Sequence, residues 1–265
     1  MSVAEWLKAK AQSFTALRIA NIFHTIDGET NQWHAGSWSV FIRLQGCRVG
    51  CVWCDTKHTW DPRKGVLMTP EEIFQRVRVL APQVYKVTIT GGEPMEQMSE
   101  VFGQLLNLLL TQHYSISMET AGTHDLRPML EFYPELNYIV DYKLPSAQAR
   151  QVPHADSFYA LRPTDVIKFC ATTLQEVDLV YKLALHLRNN GCRARMVLSP
   201  VLIPASLHTL SHFPQTLHEF VEHARDIGLP ALDVGINLQL HKFIWTENAR
   251  DEERASLPVN TPPTG

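Results

Sequence analysis

Cys47, Cys51 and Cys54 stand in the stretch Gln45-Gly46-Cys47-Arg48-Val49-Gly50-Cys51-Val52-Trp53-Cys54-Asp55-Thr56, a C-x3-C-x2-C spacing of soft thiol donors. Four thiolates saturate the irons of a [4Fe–4S] cluster; three leave one iron open to a further ligand, which turns an electron store into a site for chemistry. The same stretch allows a second reading. His58 follows Cys54 closely enough for Cys3His ligation of a zinc ion.

A second motif lies roughly forty residues beyond Cys47: Val87-Thr88-Ile89-Thr90-Gly91-Gly92-Glu93-Pro94. It reads as a buried β-branched strand running into a glycine pair, a carboxylate and a proline. Glycine lets a backbone approach a ligand closely, and proline ends the strand. Alone, this is equally an ordinary strand-to-helix turn. C-x3-C-x2-C followed by Gly-Gly-Glu-Pro resembles the radical S-adenosylmethionine superfamily. The resemblance implies that the open iron takes the amino and carboxylate groups of S-adenosylmethionine, with the Gly91-Gly92-Glu93 backbone binding its amino group.

The elements that must position these motifs alternate along the chain. Strand patterns read at Ser39–Leu44, Lys86–Thr90, Ser115–Glu119, Asn137–Tyr142, Val166–Cys170 and Ala194–Leu198. Thr69-Pro70-Glu71-Glu72 opens a helix through about Val79 with a capping box and an N1 proline. Val101, Leu105, Leu108 and Leu109 give the apolar stripe of the next helix. Thr173-Leu174-Gln175-Glu176 opens a third, ended by Asn189-Asn190-Gly191, and a last helix runs near Gln215–Ile227. Repeated β-α units with short links imply a parallel sheet with ligands at the strands' C-terminal ends. The expected fold is α/β: a partial (β/α)6-type parallel barrel, a modified radical S-adenosylmethionine core. Residues 1–250 read as a single such domain with an N-terminal extension, and 251–265 as a disordered tail.

The chain has 265 residues, 45% of them hydrophobic, a net charge of −3 and five cysteines. That size buries one sizeable core, and the charge supplies no field favouring nucleic acid or an anionic membrane. No apolar run approaches the ~20 residues of a membrane helix. An odd cysteine count with three in one cluster suits a reducing compartment, so the expected location is cytoplasmic. Cys170 and Cys192 read as small buried hydrophobes.

Further segments narrow the family. Phe23-His24-Thr25-Ile26-Asp27-Gly28-Glu29 precedes the cysteines, Phe41-Ile42-Arg43-Leu44-Gln45-Gly46-Cys47 leads into them, and Asp55-Thr56-Lys57-His58-Thr59-Trp60 follows. Met118-Glu119-Thr120-Ala121-Gly122-Thr123, Lys143-Leu144-Pro145-Ser146 and Leu238-Gln239-Leu240-His241-Lys242-Phe243 come later. In this order they resemble the 7-carboxy-7-deazaguanine synthase family. That family contracts the ring of 6-carboxy-5,6,7,8-tetrahydropterin, losing ammonia, on the route to queuosine and other 7-deazapurines. The resemblance implies a [4Fe–4S] cluster on Cys47, Cys51 and Cys54. It implies S-adenosylmethionine contacts at Gly91, Gly92, Glu93, Glu119, Thr120, Lys143 and Ser146, and Mg²⁺ at Thr56. Substrate contacts would fall at Ile26, Asp27, Gly28, Glu29, Arg43, Thr90 and His241. It also implies a small-molecule pterin as partner, an electron donor such as flavodoxin, and compatibility with a homodimer.

The residues offer ordinary roles beside these. Arg43 has a forked guanidinium suited to a carboxylate or to a structural ion pair. The Thr56 hydroxyl suits a cation completed by substrate and water, or a bond to its own loop. Glu119 could simply end its strand. Two segments depart from the family's usual pattern. Asp27-Gly28-Glu29-Thr30 stands where it has Gln-Gly-Glu-Gly, which puts a carboxylate beside an anionic substrate. Asp141-Tyr142-Lys143 stands where it has Ser-Pro-Lys, a form similar to glycyl-radical enzyme activases. An activase acting on a protein glycine is therefore one alternative, and a Cys3His zinc module is the other.

Overall fold

The computed structural model describes residues 15–201, 213–240 and 244, with residues 213–216 described as backbone. His241 and the expected tail lie outside them. One nine-stranded sheet runs in the order β3–β1–β2–β4–β5–β6–β7–β8–β9. Its strands are β1 Leu17–Asp27, β2 Ser37–Leu44, β3 Val66–Met68, β4 Lys86–Gly91, β5 Ser115–Thr120, β6 Asn137–Tyr142, β7 Val166–Ala171, β8 Arg195–Pro200 and β9 Val234–Ile236. From β2 through β9, β3 apart, neighbours pair in parallel. β1 is antiparallel to both β2 and β3. The architecture is the expected α/β sheet, open rather than closed, with β3 and β9 as its edges.

Each of the six expected strands is present; β6 has the expected bounds and the others differ by one or two residues at an end. β4, β6, β7 and β8 are buried along most of their length on both faces, the mark of parallel strands covered by helices. The helices are α1 Pro70–Leu80, α2 Glu100–Thr111, α3 Arg127–Phe132, α4 Ala155–Ala160, α5 Leu174–Asn189 and α6 Phe213–Asp226. α1 opens as expected. Thr69 Oγ1 accepts the Glu72 amide at 3.3 Å, and the Glu72 carboxylate accepts the Thr69 amide at 2.8 Å. At α5 only half of the box forms. Thr173 caps Glu176, but the buried Glu176 carboxylate turns to the amides of Thr172 (2.8 Å) and Ser146 (2.7 Å), tying the β6–α4 connection to the helix.

β1, β3 and β9 lay beyond the sequence reading. β1 carries polar residues on both faces because one of them, at Asn21, Thr25 and Asp27, lines a polar cavity and not the core. The segments that follow β1 and β9 are joined by side chains instead of a backbone ladder. Just past β1, the Thr30 amide and hydroxyl both donate to Asn237 Oδ1, at 3.1 and 2.8 Å, just past β9. Asn237 Nδ2 and Gln239 Nε2 return bonds to the Glu29 carboxylate at 2.8 and 3.1 Å. This stitching gives the cavity a side wall where the backbone leaves a gap. No helix among the described residues is long and apolar enough to cross a membrane.

Candidate active site

The cysteine loop leaves the end of β2 and is fastened on every side. Gln45 Nε2 donates to the carbonyls of His58 (3.0 Å) and Asp61 (2.9 Å), and the Gly46 amide donates to Thr59 O at 2.6 Å. Val52 N donates to Ala147 O at 3.0 Å and Arg150 N to Val49 O at 2.8 Å, which docks the loop on the β6–α4 connection. Cys47, Cys51 and Cys54 are thereby held on one wall of a cavity of about 240 Å³ inside the curved sheet. All are free thiols. Burial pushes the Cys47 thiol up to about 11 and raises that of Cys51, the nearby Lys143 opposing the second shift. Iron binding must therefore displace protons. The donor set fits a cluster. A Cys3His zinc site requires four donors converging at about 2.0–2.3 Å on one ion. His58 is exposed and outside the cavity wall, away from the face on which the three thiols are held.

The glycine turn at the end of β4 packs directly on this loop. The Gly92 amide donates to Leu44 O at 2.9 Å and the Glu93 amide to Gly46 O at 2.8 Å. A Cβ on Gly92 would sit 1.8 Å from Gly46 O, so the missing side chain is demanded first by the chain itself. Gly91 and Gly92 line the cavity, but Glu93 does not. The Glu93 carboxylate is buried and accepts from Met95 N (3.0 Å), Thr120 Oγ1 (2.6 Å) and Ala121 N (2.6 Å), a staple between the ends of β4 and β5. Ser146 is also outside the wall, held through its amide by Glu176.

Charged groups fill the deeper cavity in interlocked pairs. Asp27 is fully buried; its Oδ2 receives Lys86 Nζ at 2.6 Å and Thr88 Oγ1 at 2.9 Å, and its Oδ1 receives the Glu29 amide at 3.2 Å. The carboxylate that departs from the family pattern is thus neutralised by Lys86 within the protein. Its acceptors shape the Asp27-Gly28-Glu29 loop. Lys168 Nζ lies 3.3 Å from Glu29 and 3.1 Å from Asp141, whose other oxygen binds Lys143 at 2.7 Å. Burial works against the charge of Asp141, but Lys143 and Lys168 hold it below the ordinary carboxylate range. Glu119 is the reverse case. Burial, then the Asp27 and Glu29 charges, push its carboxyl up to about 7, although Thr90 Oγ1 donates to it at 2.7 Å. Arg43 lies over the Phe23 ring at 5.4 Å.

The cavity wall therefore gathers Ile26, Asp27, Gly28, Glu29, Arg43, Thr56, Thr90, Glu119, Thr120 and Lys143 of the expected residues, with the cysteines and glycines already described. It adds Asn21, Phe23, Thr25, Lys168 and Gln239, which sequence reasoning missed. Lys168 had a signal: a lone lysine inside the apolar run Val166-Ile167-Lys168-Phe169-Cys170. Cys170 and Cys192 are buried, as expected, though Cys170 also faces the cavity.

Comparison with known proteins agrees with this geometry. The model of the radical SAM superfamily matches residues 41–149. A relative from Clostridium acetobutylicum, named 7-carboxy-7-deazaguanine synthase, is 33% identical over 241 residues, covering 88% of this chain and 98% of its own. A relative of the same name from Chlorobaculum tepidum is 33% identical, covering 88% and 96%. The solved structure of QueE from Escherichia coli superposes with a TM-score of 0.66 at 23% identity, over 90% of this chain and 98% of that one.

Proposed function

Because the chain belongs to the 7-carboxy-7-deazaguanine synthase family, we propose that it contracts the ring of 6-carboxy-5,6,7,8-tetrahydropterin to 7-carboxy-7-deazaguanine with loss of ammonia. This is a radical S-adenosylmethionine lyase step on the route to queuosine and other 7-deazapurines. One observation supports the reading above the others. Three cysteines, a Gly-Gly turn and a charge-paired substrate loop converge on one polar cavity, in a chain whose relatives it matches nearly end to end.

Cys47, Cys51 and Cys54 would hold the cluster, and Gly91, Gly92, Thr120 and Lys143 would border its S-adenosylmethionine. When bound, that pair supplies the one-electron chemistry that removes a hydrogen atom from substrate. The chain's own work is orientation and exclusion of water. Arg43 offers a guanidinium to the substrate carboxylate. Asp27 and Lys86 fix the Gly28-Glu29 backbone, and Glu29 is aimed by Asn237, Gln239 and Lys168. Thr90 and Glu119 form a hydroxyl–carboxyl pair whose proton is poised near neutral pH. Thr56 would bring Mg²⁺ beside the substrate; a single hydroxyl cannot cage that ion, so substrate and water must complete its shell. A one-electron carrier such as flavodoxin is the proposed reductant.

The test is anaerobic reconstitution with iron and sulfide, then incubation with the pterin, S-adenosylmethionine and a reductant. 7-Carboxy-7-deazaguanine by mass spectrometry is the expected product. S-Adenosylmethionine cleavage with no turnover of the pterin would sink the assignment and favour the activase alternative.

A further inference from the structure

Hydrogen bonds to the sulfurs of an iron–sulfur cluster help set how readily it takes an electron, because reduction adds negative charge that a donor stabilises. The three cluster cysteines differ in the donors they are given. Cys54 Sγ lies within hydrogen-bond reach of two groups of one residue, the Thr56 amide at 3.4 Å and the Thr56 hydroxyl at 3.5 Å. The Cys47 thiol instead has the amides of Val49 and Gly50 beside it. Among the described residues no other side-chain hydroxyl bonds a cluster cysteine, and Thr56 Oγ1 bonds nothing but Cys54 Sγ. The following turn holds this arrangement. The Thr56 carbonyl accepts from the Thr59 amide at 2.9 Å and from Thr59 Oγ1 at 2.8 Å, and Thr59 is fully buried. Both bonds fix the backbone that carries the hydroxyl.

The chemistry of the sulfur settles the direction of the hydroxyl bond. A free thiol can donate to the hydroxyl or accept from it, but an iron-bound thiolate has no proton, so there the Thr56 hydroxyl must donate. Cys54 packs against Val49, Cys51 and Ala147, an apolar surrounding in which a bond to a charged sulfur is stronger than in water. We propose that Thr56 is a positioning residue acting through Cys54: its hydroxyl donates to Cys54 Sγ and raises the reduction potential of the cluster, easing delivery of the one electron that the chemistry needs. This rests on the cluster assignment made above, and it is independent of which substrate fills the cavity. The lone pairs of the hydroxyl oxygen stay free while its proton points at sulfur, so a cation at Thr56 and the bond to Cys54 are compatible.

The test is a potentiometric titration of anaerobically reconstituted protein, without added Mg²⁺ or pterin, read by electron paramagnetic resonance of the reduced cluster. Omitting Mg²⁺ ensures that a shift reports the bond to sulfur and not the loss of an ion. Thr56→Val keeps the shape and removes the donor, and Thr56→Ala removes it without crowding the loop. With iron and sulfide at the wild-type level, either should lower the reduced-to-oxidised ratio at a fixed potential about threefold, a midpoint about 28 mV more negative at about 59 mV per decade. Thr56→Ser, which keeps the donor, should stay close to wild type. A midpoint unmoved in Thr56→Val and Thr56→Ala, or a Thr56→Ser variant shifted as far as they are, overturns the proposal. Loss of the cluster from both removal variants also overturns it, by making Thr56 a support of the loop. A wild type that binds no cluster is a separate result, and it removes the assignment on which the proposal rests.

Discussion

Gly92→Ala separates a ligand-binding glycine from a packing glycine. The added Cβ would lie 1.8 Å from Gly46 O and 2.5 Å from Gly46 C, both backbone atoms of the residue preceding Cys47. Ordinary contact starts near 3.4 Å, so the β4 turn and the cysteine loop must part by about 1.6 Å. That breaks the Gly92 N to Leu44 O and Glu93 N to Gly46 O hydrogen bonds, at 2.9 and 2.8 Å. Two net hydrogen bonds at about 1 kcal/mol each, with about 1–3 kcal/mol of overpacking strain, give a loss on the order of 3–5 kcal/mol. Cys47 moves with Gly46, so the damage reaches the cluster before it reaches S-adenosylmethionine. Anaerobically reconstituted Gly92→Ala should carry well under half the wild-type iron and sulfide and should melt earlier. Full iron and sulfide with wild-type melting, and only S-adenosylmethionine affinity lost, would refute this reasoning and return Gly92 to close approach of a ligand.

Lys86→Met leaves the fully buried Asp27 carboxylate without its cation, which costs about 3–5 kcal/mol. Adding Asp27→Asn should recover most of that loss, and chemical denaturation of the single and double variants measures the difference; no recovery would mean that Lys86 acts elsewhere. The Glu119 carboxyl rises from about 4.5 to about 7 in the fold, so the native chain keeps a proton that the unfolded chain releases. Its contribution therefore disfavours the fold increasingly as pH climbs from about 4.5 through about 7, and Glu119→Gln should flatten that part of the melting profile. The same variant should erase an inflection near pH 7 in KM, since an ionised Glu119 repels an anionic substrate. If Mg²⁺ sits at Thr56, Thr56→Ala should weaken the Mg²⁺ dependence of turnover while iron content stays full; turnover indifferent to a chelator in the wild type would remove the ion from the mechanism.

How much of this could be read in advance follows from where each residue spends its side chain. The cysteines and the glycine turn were legible because their chemistry is local: a C-x3-C-x2-C loop wraps its cluster within eight positions. The parallel strands were legible because each carries β-branched or aromatic apolar residues at its core-facing positions within a short run bounded by turn residues. β1 was not, because its inner face serves a ligand cavity. Asn21, Thr25 and Asp27 interrupt the alternation that marks a strand packed on a core. Short β3 and β9, of three residues each, carry too little pattern to stand out.

The charges show the same limit more sharply. In the sequence, Asp27 looks like an uncompensated negative beside an anionic substrate, and Asp141 looks like a mark of a different enzyme. The distant partners do not show in the chain: Lys86 lies 59 residues from Asp27, and Asp141 adds to its neighbour Lys143 a second cation, Lys168, from the adjacent strand. Once paired, both carboxylates are satisfied inside the protein, and their departure from the family pattern no longer adds net charge to the substrate's surroundings. Glu119 is the exception. Burial, reinforced by the charges of Asp27 and Glu29, holds its proton near neutrality against the opposing pull of Lys168 and the Thr90 hydroxyl. A carboxyl that can gain or lose a proton at working pH, in a cavity where the other buried acids are fixed by lysines, is the group through which an incoming anion can be accommodated. Lysine pairing thus keeps Asp27 and Asp141 ionised, and Glu119, raised in part by the Asp27 charge, is left as the carboxyl that can respond to substrate charge.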